Sequence, residues 1–265
     1  MSGKLSKEPG DVFYLESGQE RELGVKAWEA NLPLLLKGPT GCGKTRFVEF
    51  IAHCLKRPLI TVSCNEDTSA TDLLGRHLLL GGETRWNDGP VTRAVRSGAI
   101  LYLDEIAEAR ADAIVVIHSL TDHRRELFLD RTGETLKAPP EFMLIASYNP
   151  GYQRNLRELK PSTRQRFVAL TFGFPNEDTE IRVLMGETGI DEKTARRLAQ
   201  IAHKVRQLTE LSLLESVSTR LLVDAAKLIV QGLPPRYAAT VAIAEPLSDD
   251  ADAIKAIRQV IELTL

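Results

Sequence analysis

Five apolar runs of strand length in the first two thirds of the chain restrict its fold more than any other feature. In each run the apolar residues are consecutive rather than alternating, which is typical of a strand buried on both faces of a sheet. Helical patterns separate several of the runs, and strands that alternate with helices form parallel sheets. The sequence therefore predicts an α/β fold with a five-stranded parallel sheet. Its strands are predicted at Leu32–Leu36, Leu59–Ser63, Ala99–Leu103, Phe142–Ala146 and Phe167–Phe172.

Two shorter stretches are predicted to form β-hairpins. In each of them, two strand-like segments flank a glycine-containing turn, which is the pattern of a tight hairpin. We expect both hairpins to protrude from the α/β core as inserts rather than to extend its sheet. They are Leu78–Leu80 with Thr84–Trp86 around Gly81-Gly82, and Leu127–Leu129 with Glu134–Leu136 around Thr132-Gly133.

The last third of the chain has a different, helical periodicity. Apolar residues recur at helical spacing between Ala195 and Val205 and again between Leu221 and Ile229. A further helix is predicted from Ala251 to Leu263. The sequence thus predicts two domains, an α/β domain over residues 1–173 and a small all-helical domain over residues 174–265.

Composition and charge exclude several classes of protein. The 265 residues include 34 Lys and Arg against 36 Asp and Glu, a net charge of −2, whereas a nucleic-acid-binding domain usually has a basic excess. No apolar run approaches the ~20 residues that cross a bilayer. The N-terminus also lacks the apolar segment of a signal peptide, which predicts a cytoplasmic protein. We therefore expect no nucleic acid as partner and no membrane insertion.

A phosphate-binding loop is the strongest chemical signal in the chain. The eight residues from Gly38 to Thr45 fit G-x-x-x-x-G-K-[ST], directly after a predicted strand and directly before a predicted helix. Backbone N–H groups of such a loop surround phosphate oxygens, and the helix N-terminus adds its positive dipole end. Lys44 would reach the β and γ phosphates, and the Thr45 hydroxyl would bind Mg²⁺. The predicted ATP-binding residues are Gly38, Pro39, Thr40, Gly41, Cys42, Gly43, Lys44 and Thr45.

Two acidic residues follow the third predicted strand. Asp104 is predicted to hold Mg²⁺, as the acid at this position does in P-loop enzymes. The adjacent Glu105 can act as a general base toward the attacking water. A small-molecule kinase needs the first acid without necessarily needing the second, so the pair favours hydrolysis of ATP. The alternative is that both acids merely begin the next helix, where the dipole favours negative charge.

Four further polar residues are candidates that their spacing alone leaves open. Asn149, at the tip of the fourth strand, can bond a γ-phosphate or the attacking water, or simply form a turn before proline. Arg164 and Arg166, just before the fifth strand, suit an arginine finger or a surface ion pair. Arg220 lies at a predicted helix start, where a cation is unfavourable, so contact with bound nucleotide is a plausible reason for it.

With these residues in hand, the sequence resembles MoxR-type AAA+ ATPases, and among them the NirQ/NorQ/CbbQ group, with the CbbQ branch most alike. The resemblance covers nearly the whole chain and rests on motifs that occur in order. The matching segments are Gly38–Glu49, Tyr102–Glu105, Ser147–Gln153, Lys160–Phe167 and Val217–Leu222.

The resemblance implies roles for the residues that spacing left open. Asn149 corresponds to sensor 1, Arg166 to the arginine finger with Arg164 as its neighbour, and Arg220 to sensor 2. It further implies a P-loop AAA+ domain followed by a helical lid. The two hairpins correspond to inserts that, in relatives, face the pore of a hexameric ring.

The family also implies a function and partners. Its members use ATP and Mg²⁺ to remodel a client protein, together with an adaptor that carries a von Willebrand factor A domain (CbbO- or NorD-like). The resemblance to CbbQ favours Rubisco as client, freed from inhibitory sugar phosphates, and the alternative client is nitric oxide reductase. A P-loop small-molecule kinase is the alternative from another class of enzyme, and a nucleic-acid-loading AAA+ protein is disfavoured by the charge balance.

Overall fold

A computed structural model describes residues 12–150, 159–208 and 216–265. The central element is a five-stranded sheet in which all pairings are parallel. It confirms the predicted α/β class. The strands of this sheet are β1 (Leu34–Lys37), β2 (Leu59–Ser63), β5 (Ile100–Asp104), β8 (Met143–Tyr148) and β9 (Val168–Thr171). Their order in the sheet is β2-β5-β8-β1-β9.

Burial differs between the centre and the edges of this sheet. The three central strands are almost fully buried, as their unbroken apolar runs predict. The two edge strands, β2 and β9, consist of half-buried and exposed residues. The prediction of burial on both faces therefore holds for the centre of the sheet and fails at its edges, because an edge strand has a neighbour on one side only.

Both predicted hairpins are present as separate two-stranded antiparallel sheets. Each is longer than the sequence pattern indicated. In the first, Gly81 and Gly82 both have positive φ, 61° and 86°, which is the backbone of a tight hairpin turn that glycine favours. The hairpin strands are β3 (Gly75–Leu80) with β4 (Glu83–Asp88), and β6 (Glu126–Leu129) with β7 (Glu134–Lys137).

Helices account for the rest of the regular structure. Those of the α/β part are α1 (Glu20–Glu29), α2 (Lys44–Cys54), α3 (Ala70–Leu74), α4 (Pro90–Ser97), α5 (Ala111–Val116) and α6 (Pro161–Arg164), with 3₁₀ turns at Ile106–Glu108 and His118–Leu120. The C-terminal part contains α7 (Glu177–Thr188), α8 (Glu192–Gln207), α9 (Thr219–Val230), α10 (Pro235–Ala239), a π-helical turn at Thr240–Ala244, α11 (Glu245–Leu247) and α12 (Ala251–Thr264). No helix within the described ranges is long and apolar enough to cross a bilayer.

The chain forms two compact units. One, the α/β unit, consists of Gly18–Gly38 and Lys44–Thr171. The other, the helical unit, consists of Phe172–Leu265 together with Pro39–Gly43 and the described residues up to Ser17. Each unit has its own apolar core. Because the units are not contiguous in sequence, the predicted boundary between residues 173 and 174 stays a prediction.

Candidate active site

The phosphate-binding sequence forms a loop between β1 and α2, as its pattern predicts. Lys44 is the first residue of α2 and is buried. Its Nζ donates a hydrogen bond to the carbonyl oxygen of Gly38 across the loop, at 2.7 Å. Gly43 has a φ of 101°, which L side chains rarely adopt. The lysine is thus held over a curved backbone that leads directly into a helix N-terminus, the geometry of an anion site.

Asp104 lies at the carboxyl end of β5, where two hydroxyl groups bond it. Its Oδ1 accepts from the Tyr102 hydroxyl at 2.7 Å and from the Ser147 hydroxyl at 2.5 Å. Ser147 comes from β8, the neighbouring parallel strand. The register pairs Leu103 with Ala146, so the residues that follow them, Asp104 and Ser147, lie side by side. The carboxylate is therefore fixed in orientation by neutral donors.

The Thr45 hydroxyl lies near these oxygens. Burial raises the pKa of Tyr102, while hydrogen bonds with Ser147 and Thr45 act in the opposite direction. The Tyr102 hydroxyl, which bonds the Asp104 carboxylate, is thus close enough to the Thr45 hydroxyl to be affected by it. Hydroxyl and carboxylate oxygens are the ligands that Mg²⁺ prefers, so the residues present fit the ion that the sequence predicts here.

Glu105 directly follows Asp104 in an unusual backbone conformation. Its φ and ψ are 53° and 46°, the left-handed region that non-glycine residues enter at an energetic cost of about 1–3 kcal/mol. Its amide donates to the Ser147 hydroxyl at 3.1 Å. Ser147 therefore bonds both acids, and it orients the backbone of one and the carboxylate of the other.

Two neighbours complete this end of the sheet. Asn149 follows β8 by one residue and is half-buried, in the position expected of a residue at a strand tip. Cys64 follows β2, and its amide donates to the Asp104 carbonyl at 2.9 Å. Burial, reinforced by the charges of Asp104 and Glu105, raises the pKa of the Cys64 thiol to about 12. Gly151, Tyr152 and Gln153, which the family resemblance included, lie outside the described residues.

The two candidate finger residues differ in their surroundings. Arg164 ends α6 and is half-buried. Arg166 has its Nη1 3.6 Å from Asp122 Oδ2 and 3.4 Å from the His118 carbonyl oxygen. Its Nε is buried and has no hydrogen-bond partner among the described residues. Burial and the neighbouring Arg166 charge lower the pKa of His118.

Arg220 lies beside the phosphate-binding loop. It is exposed in the first turn of α9, whose N-cap is Ser218. A Cβ placed on Gly41 would lie 2.6 Å from the Ser218 Cβ and 3.3 Å from the Arg220 Cβ. Gly41 also has a φ of 71°. A glycine is therefore needed here for two reasons, its backbone angle and the close approach of the helix start.

Sequence reasoning missed the role of Ser147 and Tyr102. Both were inside quoted motifs, yet nothing in the sequence gives the register that brings Ser147 next to Asp104. A serine in a strand of otherwise apolar, fully buried residues was the available signal, because a buried hydroxyl requires a partner. Cys42, predicted within the loop, is buried.

Comparison with known families gives two matches that together cover most of the chain. Residues 33–167 match the AAA domain of the dynein-related subfamily. Residues 180–264 match the CbbQ/NirQ/NorQ C-terminal domain.

Curated relatives are similar over nearly their whole length. The denitrification regulatory protein NirQ of Pseudomonas aeruginosa is 56% identical over 95% of this chain and 96% of its own. The protein NorQ of Paracoccus denitrificans is 55% identical over 93% of this chain and 91% of its own. The protein CbbQ of Hydrogenophilus thermoluteolus is 50% identical over 94% and 93%.

Solved structures with low sequence identity share the fold. A structure of NtrX from Brucella abortus in complex with ADP has a TM-score of 0.58 at 14% identity, covering 96% of this chain and 62% of that one. A variant of RuvB from Thermotoga maritima has a TM-score of 0.55 at 16% identity, covering 91% and 68%.

Proposed function

The chain belongs to the CbbQ/NirQ/NorQ family of AAA+ ATPases, and we propose that it is a ring-forming motor that couples ATP hydrolysis to remodelling of a client protein. The observation that carries hydrolysis is the pair of acids at the end of β5. Ser147 bonds the Asp104 carboxylate and the Glu105 amide at once. Such an arrangement separates a metal-binding acid from a water-activating one, as an ATPase requires.

In the proposed mechanism each side chain has one task. Lys44, Thr45 and Asp104 hold the phosphates and Mg²⁺, which when bound neutralises charge on the phosphoryl oxygens. Glu105 accepts the proton of a water molecule that Asn149 orients toward the γ-phosphorus. The new P–O bond forms as the bond to the β–γ bridging oxygen breaks, and ADP leaves. Arg166 of an adjacent subunit stabilises the charge on the transferred group.

The role of Glu105 is tested with Glu105→Gln. The amide cannot accept the water proton, so turnover should fall by about 10²–10⁴-fold, the usual contribution of a general base, while ATP still binds. Glu108→Gln is the matched control, because Glu108 lies three residues further on in the same 3₁₀ turn. Hydrolysis by Glu105→Gln at the wild-type rate would rule out the proposed base.

Assembly across subunits is tested by mixing two inactive variants. Lys44→Ala should lack nucleotide binding and Arg166→Ala should lack the finger. We expect mixed subunits to recover activity, because sites pairing an intact loop with an intact Arg166 are restored. No recovery, once subunit exchange is verified, would mean that each chain completes its own site and would favour a small-molecule kinase.

Arg164→Ala separates the two candidate fingers in the same assay. If Arg166 is the finger, Arg164→Ala alone should keep most of the ATPase activity. If Arg164→Ala is inactive alone and is rescued by Lys44→Ala, the finger is Arg164 and the assignment to Arg166 is wrong.

The proposed client is an enzyme that a von Willebrand factor A adaptor presents to the ring. The higher identity to NirQ and NorQ than to CbbQ favours nitric oxide reductase over Rubisco, the client that the resemblance to CbbQ first suggested. The test measures ATPase stimulation by each client with its NorD- or CbbO-like adaptor, and then the activity of that client. We expect ATP-dependent gain of activity with one pair only, and stimulation by neither would exclude both clients.

A further inference from the structure

A buried ion pair in the helical unit lies against the start of α9. The Glu180 side chain is 2% exposed, and its two oxygens accept from the Arg206 guanidinium at 2.6 and 3.0 Å. The guanidinium also stacks on the Phe174 ring, 4.3 Å from its centre. Both charges are thus matched inside the unit, with a fixed fork geometry that lysine does not provide.

The same two side chains bond the residues on either side of Ser218. Arg206 Nε donates to the Val217 carbonyl oxygen at 2.9 Å. The Thr219 hydroxyl donates to Glu180 Oε1 at 2.8 Å. The backbone before Ser218 and the side chain after it are therefore both tied to one rigid pair, and Ser218 itself caps the helix.

The segment held in this way carries the contacts to the phosphate-binding loop. Ser218 faces Gly41, and the next helical residue after Thr219 is Arg220. A shift of the helix start by a few tenths of an ångström would change the contact of Ser218 with Gly41 and the position of Arg220. The contact is close, since the approach of Ser218 to Gly41 leaves no room for a methyl group.

Stability is a weak reason for such a pair. Replacing a buried ion pair with apolar residues of similar volume is often neutral or stabilising, because desolvation offsets the attraction between the charges. The pair instead fixes the position of the helix start. The bidentate guanidinium holds the pair in one geometry, and its bonds to Val217 and Thr219 hold the start of α9 against it.

We propose that Glu180 and Arg206 are positioning residues for nucleotide turnover, which act by fixing the helix start at Ser218 and thereby placing Arg220 beside the phosphate-binding loop. The inference rests on the proposed ATPase function and adds to it a site far along the chain from the ATP-binding motifs. Neither residue belongs to the ATP-binding motifs. Their effect passes through Arg220.

The test is a double-mutant cycle in the full-length protein. Arg206→Lys keeps the charge but removes the fork, and should lower kcat/KM for ATP about tenfold, a coupling typical of residues in one network. In an Arg220→Ala background the same substitution should change kcat/KM less than about twofold. Arg196→Lys is the matched control, because Arg196 lies on the same helix α8 in an exposed pair with Glu192.

A milder variant protects the test against misfolding. Thr219→Val keeps the shape of the side chain and removes only its bond to Glu180, so kcat/KM should fall about fivefold, the value of one hydrogen bond. This effect too should vanish in the Arg220→Ala background, while the midpoint of thermal unfolding falls by only about 2–4 °C in both backgrounds. Equal effects with and without Arg220 would overturn the positioning role and leave only a stabilising pair.

Failure of the proposed function gives a different result. ATP binding, followed with a fluorescent ATP analogue, should be lost in Lys44→Ala. Binding that persists in Lys44→Ala would overturn the nucleotide site and the positioning role with it. Binding lost in Lys44→Ala together with additive effects of Arg206→Lys and Arg220→Ala would overturn the positioning role alone.

Discussion

The two units each fix a carboxylate with hydroxyl groups, but they treat its charge differently. In the α/β unit, the hydrogen bonds to the Asp104 carboxylate come from the neutral hydroxyls of Tyr102 and Ser147. In the helical unit, Glu180 receives a hydroxyl and also a bidentate guanidinium. The first acid is oriented with its charge left for a cation, whereas the charge of the second is matched within the protein. The comparison separates a carboxylate suited to binding from one suited to holding structure.

Substitution of Asp104 should give the largest effect on activity. Asp104→Asn removes the charge that would bind Mg²⁺, so kcat should fall by about 10³-fold, equivalent to several kcal/mol of transition-state stabilisation. The amide oxygen still accepts from both hydroxyls, so the free energy of unfolding should change by less than about 1 kcal/mol. Steady-state ATPase assays and urea unfolding measure the two quantities.

Asp112→Asn is the control for this change, because Asp112 is an exposed carboxylate of the same unit. It should leave kcat unaltered. If Asp104→Asn instead unfolded the protein while activity per folded molecule stayed normal, the contrast between the two acids would be lost.

Substitution of Glu180, unlike that of Asp104, should strongly destabilise the protein. Glu180→Ala leaves the Arg206 guanidinium buried without its partner, which should lower the free energy of unfolding by about 3–5 kcal/mol. Glu192→Ala, which breaks the exposed pair with Arg196, should lower it by less than about 1 kcal/mol. Urea unfolding measures the free energy of unfolding of both variants. Equal losses of stability would show that the buried pair stabilises the protein no more than the exposed one.

The smallest effect is expected at Gly41, where the helix start meets the loop. Gly41→Ala combines a left-handed backbone with a clash against Ser218, and should weaken ATP binding by about 1–3 kcal/mol. Gly133 has a similar φ, 67° against 71°, but a Cβ added to it would meet no atom within 4 Å. Gly133→Ala therefore shows the energetic cost of the backbone angle alone, and thermal unfolding measures that cost.

Adding Ser218→Gly to Gly41→Ala tests the clash itself. Removing the Ser218 side chain should restore the part of the lost affinity that the clash causes, because glycine replaces serine at an N-cap with a loss of only a few tenths of a kcal/mol. Absence of rescue would assign the effect to backbone strain alone.

The sequence predicted the structure of this molecule well where that structure depends on local spacing. The loop from Gly38 to Thr45, the position of two acids at the end of β5 and both hairpins could be predicted because each is a short pattern with a direct physical meaning. Ser147 could not be assigned, since its role depends on the register between two strands that lie more than forty residues apart. Glu180 and Arg206 gave no signal either, because charged residues on amphipathic helices are ordinarily solvated and only packing shows that these are not.

The strand order has a consequence for folding of the chain during its synthesis. β1 pairs with β8 and β9, so Leu34 lies opposite Ile145 and Val168. At synthesis rates of roughly 5–20 residues per second, on the order of ten seconds pass before the first strand meets a partner. Through that interval its leucines, which are fully buried in the finished protein, stay without their native neighbours. A nascent chain of this topology therefore exposes an unpaired apolar strand, which favours aggregation, until more than half of it has been made.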